Sequence, residues 1–374
     1  MDEYVTVGGK KLRKGYTTGT CAAAAAKAAA YMLVNNVRLE KVHIDTPAGI
    51  RLELSVSDVL LEEGFAECSI VKDGGDDPDV TTGLRIFARA ELTDDGRIVV
   101  KAGEGIGTVT LPGLKVEVGK PAINPVPMQM IKKAAAEALP EGKGVVITLR
   151  IPGGEEAAKK TYNPKLGIIG GLSIIGTRGI VEPMSEEAWK DALALELNVL
   201  RNRGHRSCVF AFGNYGEDFA INELGIKEDR IIKIGNYVGF MLDKAVECGI
   251  EKLLLVGHLG KLVKVAAGIF HTHSRVADAR MEVLSAYAGL EGAAHEIIRR
   301  IYDCRTTGEA ASIIDAQGLC GVYERITQNA TKRCMDYTYG KVCTGTVLFH
   351  EGSRLLYMDE RAKEIIGGLK RIEE

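Results

Sequence analysis

Three short apolar runs, each ending in a glycine, recur at a fixed interval in the second half of the chain. They constrain its fold more than any other feature. Cys208-Val209-Phe210-Ala211-Phe212 leads into Gly213, Ile231-Ile232-Lys233-Ile234 into Gly235, and Lys252-Leu253-Leu254-Leu255-Val256 into Gly257, with the glycines 22 residues apart. Apolar run, glycine turn and helical spacing, repeated, is the pattern of a parallel sheet wound by crossover helices. Residues 183–374 are therefore expected to form an α/β domain with a short parallel, Rossmann-like sheet. Ser185 is a suitable N-cap for a helix reaching about Arg201. Helices near 280–290, 292–303, 307–316 and 320–333 and a closing hairpin, Thr346–Phe349 with Arg354–Met358, complete that half.

The first half reads differently. Thr17-Thr18-Gly19-Thr20 precedes an alanine run from Ala22 to Ala30 broken only by Lys27. Threonines can cap free N–H groups and alanine has the highest helix propensity, so a helix is expected to start near residue 20. Its alanine face admits close approach by another element or by a flat ligand. Short runs follow at Val42–Ile44, Leu52–Leu54, Cys68–Val71, Arg85–Ala90 and Ile98–Val100. Asp94-Asp95-Gly96 reads as a hairpin turn between the last two. A helix at Val126–Leu139 and a strand at Val145–Leu149 give an N-terminal α+β domain, residues 1–182, with a mixed or antiparallel sheet. A chain of 374 residues accommodates these two domains.

Charge and cysteine usage remove several functional classes. Lys+Arg 48 against Asp+Glu 50 leaves no basic excess, so a nucleic-acid partner is not expected. The eight cysteines are scattered, with no pair at zinc, iron–sulfur or redox-dithiol spacing, and reduced thiols are expected. Met1-Asp2-Glu3 opens no signal peptide, and the apolar stretch Cys21–Val34 is too short to span a bilayer. A cytoplasmic protein without a membrane partner is expected; homo-oligomerisation is left open.

Ligands of open parallel sheets bind beyond the carboxyl ends of the strands. Three turns lie there: Gly213-Asn214-Tyr215-Gly216-Glu217-Asp218, Gly235-Asn236-Tyr237-Val238-Gly239, and Gly257-His258-Leu259-Gly260-Lys261. None carries a G-x-G-x-x-G fingerprint or a P-loop, so NAD and ATP are not indicated. His271-Thr272-His273-Ser274-Arg275 offers metal ligation, substrate contact or helix capping, and no third ligand is visible, so no metal is expected. Lys72–Asp79 is a dense acidic loop that fails the calcium-loop template and reads as a solvated turn on composition. The Thr17–Thr20 helix start could cradle an anion or serve as an ordinary cap. No nucleophile–base constellation can be argued from spacing.

Taken together the segments resemble the cobalt-precorrin C(1)-methyltransferase family, CbiD. The matching stretches are Leu12–Ala22, Lys72–Thr81, Gly103–Gly107, Pro121–Pro127, Ser173–Ile180, Gly213–Ala220 and Gly257–Lys264, continuing through Thr272-His273-Ser274 to Asp278. His271 and Ala279 stand where asparagine and glycine would be expected. The resemblance implies S-adenosylmethionine as methyl donor and cobalt-precorrin-5B as the tetrapyrrole acceptor, methylated at ring carbon 1 to cobalt-precorrin-6A. Cobalt would arrive as part of the substrate. The donor is expected at Gly213, Asn214, Tyr215, Gly216, Glu217, Asp218, Gly235, Asn236 and Gly257. The acceptor is expected at Lys14, Thr17, Thr18, Thr20, Asp76, Asp77, Thr177 and Ser274, with Thr17, Thr18 and Thr20 cradling one of its carboxylate arms near Lys14, and with His258, Lys261 and His273 positioned between the two reactants. A small-molecule kinase and a non-catalytic tetrapyrrole carrier are the alternatives.

Overall fold

The computed structural model describes residues 3–370. Met1 and Asp2, on which part of the reading of the N-terminus rests, lie outside them. The described chain mixes helices with several sheets, and it divides into two compact units, Met1–Ala188 and Trp189–Glu374.

In the first unit, helix α1 (Thr18–Asn35) packs on helix α2 (Pro125–Ala136) and on a five-stranded sheet. The strands are β1 (Ser57–Glu62), β2 (Phe65–Val71), β3 (Arg85–Thr93), β4 (Ile98–Ala102) and β5 (Gly144–Arg150), in the order β1-β2-β3-β5-β4. Ala22 to Ala26 and Ala28 to Ala30 are fully buried, and the Cys68 thiol reaches the Ala25 carbonyl at 3.4 Å. The alanine face therefore serves close helix–sheet packing, the first of the two uses the sequence allowed. The hairpin expected around Asp94-Asp95-Gly96 does not form. β5 inserts between β3 and β4, antiparallel to the first and parallel to the second. The turn residues instead bond locally, with Asp95 accepting from Thr93 Oγ1 and Arg97 N. An inserted strand from 40 residues downstream leaves no mark on the local pattern.

Helix α3 (Glu186–Asn202), capped by Ser185, spans the division. In the second unit β6 (Ser207–Ala211), β7 (Ile231–Lys233), β8 (Lys252–His258) and β9 (Cys343–His350) run parallel in the order β7-β6-β8-β9, and β10 (Arg354–Met358) closes the edge antiparallel. Between and after the strands come α4 (Gly213–Asn222), α5 (Val238–Glu247), α6 (Leu259–Ala266), α7 (Arg280–Leu290), α8 (His295–Tyr302), α9 (Thr307–Ala316), α10 (Gly321–Tyr337) and α11 (Glu360–Gly367). Strand residues alternate between two apolar layers. Val209, Ala211, Leu254 and Val256 pack with α4 and α11, whereas Phe210, Leu253 and Leu255 pack with α5, α6 and α10. Both faces are covered, so the strands are apolar throughout. The chain enters at β6, moves to β7 on one side and then to β8 on the other. That order makes the gap between the carboxyl ends of β6 and β8 the topological switch point, where such sheets bind ligands.

Candidate active site

A cavity of about 880 Å³ opens at that switch point, within the second unit. Phe212 and Tyr215 come from the end of β6 and the start of α4, His258 and Lys261 from the β8–α6 junction, and Phe349 and Glu351 from the end of β9. Asn236, Thr272, His273, Ser274, Arg280 and Thr307 complete the polar lining with Lys264. Six residues expected from sequence (Tyr215, Asn236, His258, Lys261, His273 and Ser274) thus share one wall.

Asn236 organises that wall. Its Oδ1 accepts from Lys261 Nζ at 2.7 Å and from Thr272 Oγ1 at 3.1 Å, and its carbonyl accepts from Thr272 N. Burial holds the Lys261 ammonium below its ordinary value, with the positive charges of Lys264 and Arg280 acting in the same direction. Lys264 is only 3% exposed; its Nζ donates to Ala277 O at 2.9 Å and Thr272 O at 3.2 Å, pinning the loop that carries His273 and Ser274. Arg280 is held by both oxygens of Asp278 at 2.8 Å. Three cations around one cavity favour an anionic ligand. Sequence reading assigned no role to Lys264, Arg280, Thr307 or Glu351. Lys264 was traceable, because three residues after Lys261 on a helix is the same face.

His258 caps α6, its Nδ1 accepting from Gly260 N at 3.2 Å, and its Nε2 stands 2.9 Å from His350 Nδ1. Burial lowers both imidazoles. His273 Nδ1 accepts from Arg275 N at 3.1 Å within a turn, away from any helix start. The ring of His271 packs edge-on to Tyr237. Among the described residues no group of three His, Cys, Asp or Glu side chains is placed to hold a metal ion.

The glycines expected to make room for a donor have other reasons. A Cβ on Gly216 would stand 3.2 Å from Val256 O and 3.3 Å from Ala211 Cβ, and one on Gly257 would stand 2.7 Å from Leu262 Cγ and Phe212 Cδ2. Both are small because helix and strand meet there. Gly213 and Gly235 adopt φ of 72° and 57°, the left-handed region that lets each strand turn toward its crossover helix. Lys233 Nζ binds Glu217 at 2.8 Å and Asn214 Oδ1 at 3.2 Å, while Asp218 is exposed. None of the donor candidates Gly213, Asn214, Gly216, Glu217, Asp218, Gly235 and Gly257 lines the cavity.

The first unit corrects the anion-cradle reading of the helix start. Thr17 caps α1 through Thr20 N at 3.2 Å, and Thr20 Oγ1 donates to Gly179 O at 2.7 Å. Thr18 Oγ1 accepts from Ile175 N at 3.0 Å and donates to Ser173 O at 3.2 Å, and Gly19 N donates to Ile175 O. All three threonines are buried; the Thr18 and Thr20 hydroxyls bind the 173–179 segment and the Thr17 hydroxyl caps the helix, so each is already engaged within the protein. The acidic loop likewise folds onto its neighbours. Asp73 forms a two-point pair with Arg13, Asp76 accepts from Arg13 N at 2.6 Å, Asp77 accepts from Met184 N at 2.9 Å, and Asp79 holds the buried Lys72 at 2.9 Å. Lys14 Nζ lies 3.5 Å from Glu3 and 3.7 Å from Glu182, and Thr177 is exposed.

An open sheet with a cavity of small-molecule size, lined by Lys261, Lys264 and Arg280, at its switch point defines an α/β protein of the kind that binds ligands at that edge. Residues 5–183 match the family described as CbiD, and residues 271–360 match the one described as CbiD, C-terminal domain. The chain is 54% identical over 344 residues to the cobalt-precorrin-5B C(1)-methyltransferase of Thermoanaerobacter sp. (strain X514), covering 91% of this chain and 94% of that one. It is 47% identical over 370 residues to the protein of the same name from Alkaliphilus metalliredigens (strain QYMF), covering 99% and 98%. The 1.9 Å crystal structure of the cobalamin biosynthesis protein (cbiD) from Archaeoglobus fulgidus matches at 30% identity and a TM-score of 0.38, over 75% of this chain and 87% of that one. The chain belongs to the CbiD family.

Proposed function

We propose that this protein is a cobalt-precorrin-5B C(1)-methyltransferase of cobalamin biosynthesis, moving a methyl group from S-adenosylmethionine to ring carbon 1 and releasing cobalt-precorrin-6A and S-adenosylhomocysteine. The name shared by its full-length relatives supports the reaction. The placement of the donor in the second unit, working as a Rossmann-like domain, is supported by one observation: the cavity at the switch point is lined by two of the donor candidates, Tyr215 and Asn236, together with His258, Lys261 and His273, expected between the reactants. In the transfer a C–CH3 bond forms at carbon 1 as the S–CH3 bond breaks, and its electron pair stays on sulfur. The nucleophile is the ring carbon, so the protein's task is alignment and the handling of charge. Lys261 and Arg280 suit carboxylates, while Phe212, Tyr215 and Phe349 supply flat apolar surface. Eight free thiols suit a cytoplasmic setting.

The test is to mix protein, S-adenosylmethionine and cobalt-precorrin-5B anaerobically and follow both products by mass spectrometry. Equal amounts of singly methylated macrocycle and S-adenosylhomocysteine are expected. Macrocycle binding without S-adenosylhomocysteine release would make it a carrier, and binding of ATP in place of the donor would favour phosphoryl transfer.

A further inference from the structure

Among the residues lining the cavity, Glu351 carries the sole carboxylate, opposite Lys261, Lys264 and Arg280. Its position is expensive. It follows β9 in the β9–β10 turn with φ 30°, and Gly352 follows with φ 65°, a pair of positive φ values that hairpin turns normally give to Asn, Asp or Gly. A glutamate held there asks for a reason beyond the turn.

The first turn of α9 lies against it. A Cβ on Gly308 would stand 3.2 Å from Glu351 Oε1 and 3.6 Å from His350 Nε2. The start of α9 is closed by a capping box: Glu309 N donates to Thr306 Oγ1, and the Glu309 carboxylate accepts from Thr306 N and Arg305 N. That arrangement leaves the Thr307 and Gly308 N–H groups, the first two of the helix, without an acceptor among the described residues. Thr307 lines the cavity, is 6% exposed, and its hydroxyl has no partner among the described residues. The hydroxyl is the part of this side chain that opens onto the cavity, within reach of a ligand atom.

One corner therefore presents a carboxylate beside two free N–H groups and an unpaired hydroxyl. We propose that Glu351 and Thr307 bind an α-amino acid head group, the ammonium on Glu351 and the carboxylate on Thr307 Oγ1 and the first N–H groups of α9. On the proposed donor placement, on which this inference rests, the head group is the methionine end of S-adenosylmethionine. His350 is a positioning residue, its Nε2 3.5 Å from Glu351 Oε1.

The test is calorimetric titration with S-adenosylmethionine, S-adenosylhomocysteine and methylthioadenosine, which lacks the amino acid. Glu351→Gln, checked for folding by circular dichroism, should weaken the first two by about 10-fold and leave methylthioadenosine unchanged. Thr307→Val should act in the same pattern by about 5-fold. His350→Gln should weaken the first two in the unaltered protein and add nothing in the Glu351→Gln background. Loss confined to S-adenosylmethionine would place Glu351 at the sulfonium and overturn the assignment. Equal loss for all three ligands would also overturn it, by showing a general disturbance. If the unaltered protein binds methylthioadenosine but gains nothing from the amino acid, this inference fails while the donor site stands. If it binds none of the three, the donor site fails too.

Discussion

His258 Nε2 and His350 Nδ1 share one proton across 2.9 Å, and the surrounding bonds decide which ring carries it. Because His258 Nδ1 accepts from Gly260 N, a neutral His258 has its hydrogen on Nε2 and donates it to His350. His350 then carries its own hydrogen on Nε2, facing Glu351. Adding a proton to either ring breaks this pair or the α6 cap. Burial, which lowers both histidines, acts in the same direction.

This pair should make the protein lose stability in mild acid. Each histidine has a folded value below its ordinary one of about 6.5, so below that pH the unfolded chain binds more protons and stability falls as pH falls. Each proton contributes a slope of up to about 1.4 kcal/mol per pH unit. Around His350, Glu351 and Asp315 oppose the shift and Arg354 reinforces it. His205, lowered by burial and Arg230, adds a background slope. Urea unfolding between pH 7.5 and 5 should therefore show a shallower decline in His350→Gln than in the unaltered protein. Parallel declines would mean the pair is not the titrating group.

For turnover the same geometry argues against His258 as a general base, since both of its ring nitrogens are already bonded within the protein. His258→Ala should slow methyl transfer by about 10- to 100-fold through a displaced α6 start, and the kcat–pH profile should keep its shape. Loss of a limb near pH 6.5 in that variant would mean His258 is a base after all.

Lys261 is held below its ordinary value by burial and by two neighbouring cations, so an anion entering the cavity should raise it again. Ligand binding at alkaline pH, below the ordinary lysine value of about 10.4, should then take up protons. Titrations in buffers of different ionisation enthalpy measure that uptake, which Lys261→Met should abolish along with about 10-fold of affinity. Unchanged uptake in the variant would move the titrating group elsewhere.

The strands and crossover helices of the second unit were legible because each apolar run ends in a glycine that the turn or the packing requires, and the cavity lies where those strands end. Misreadings came from features that local sequence does not encode. Gly216 and Gly257 are small because a Cβ there would meet protein atoms, which only the helix–strand distance reveals. The β3–β4 hairpin was displaced by a strand from far along the chain. Glu351 reaches the cavity through the parallel pairing of β8 with β9, where His258 lies opposite Phe349, a register that bridges about 90 residues, and Thr307 reaches it from the start of α9. No spacing rule connects such positions.

Gly216 offers a check on the packing explanation. Gly216→Ala places a methyl 3.2 Å from Val256 O, so overpacking of about 1–3 kcal/mol competes with up to about 1 kcal/mol of gained helix propensity. Since Val256 O belongs to a buried strand that cannot yield far, a net loss of stability with unchanged donor affinity is expected, read by thermal melts beside calorimetry. A stable protein with weakened donor binding would restore the ligand explanation.

The last prediction separates the threonines at the head of α1. Thr18 binds Ile175 N and Ser173 O, but Ile175 is 49% exposed, so water can replace part of the bonding that Thr18→Val removes; a loss of about 1 kcal/mol is expected. Thr20 is fully buried and donates to Gly179 O at 2.7 Å, and Gly179 is buried as well. Thr20→Val removes one of the two donors to that carbonyl, leaving it Thr17 N at 3.1 Å and no water, and the loss should reach about 1–2 kcal/mol. Thr20→Ser keeps the hydroxyl and should recover most of it. Chemical denaturation ranks the three variants, and steady-state kinetics should show the same KM for the macrocycle in each. A raised KM in Thr20→Val without a matching loss of stability would return the helix start to the role of an anion cradle.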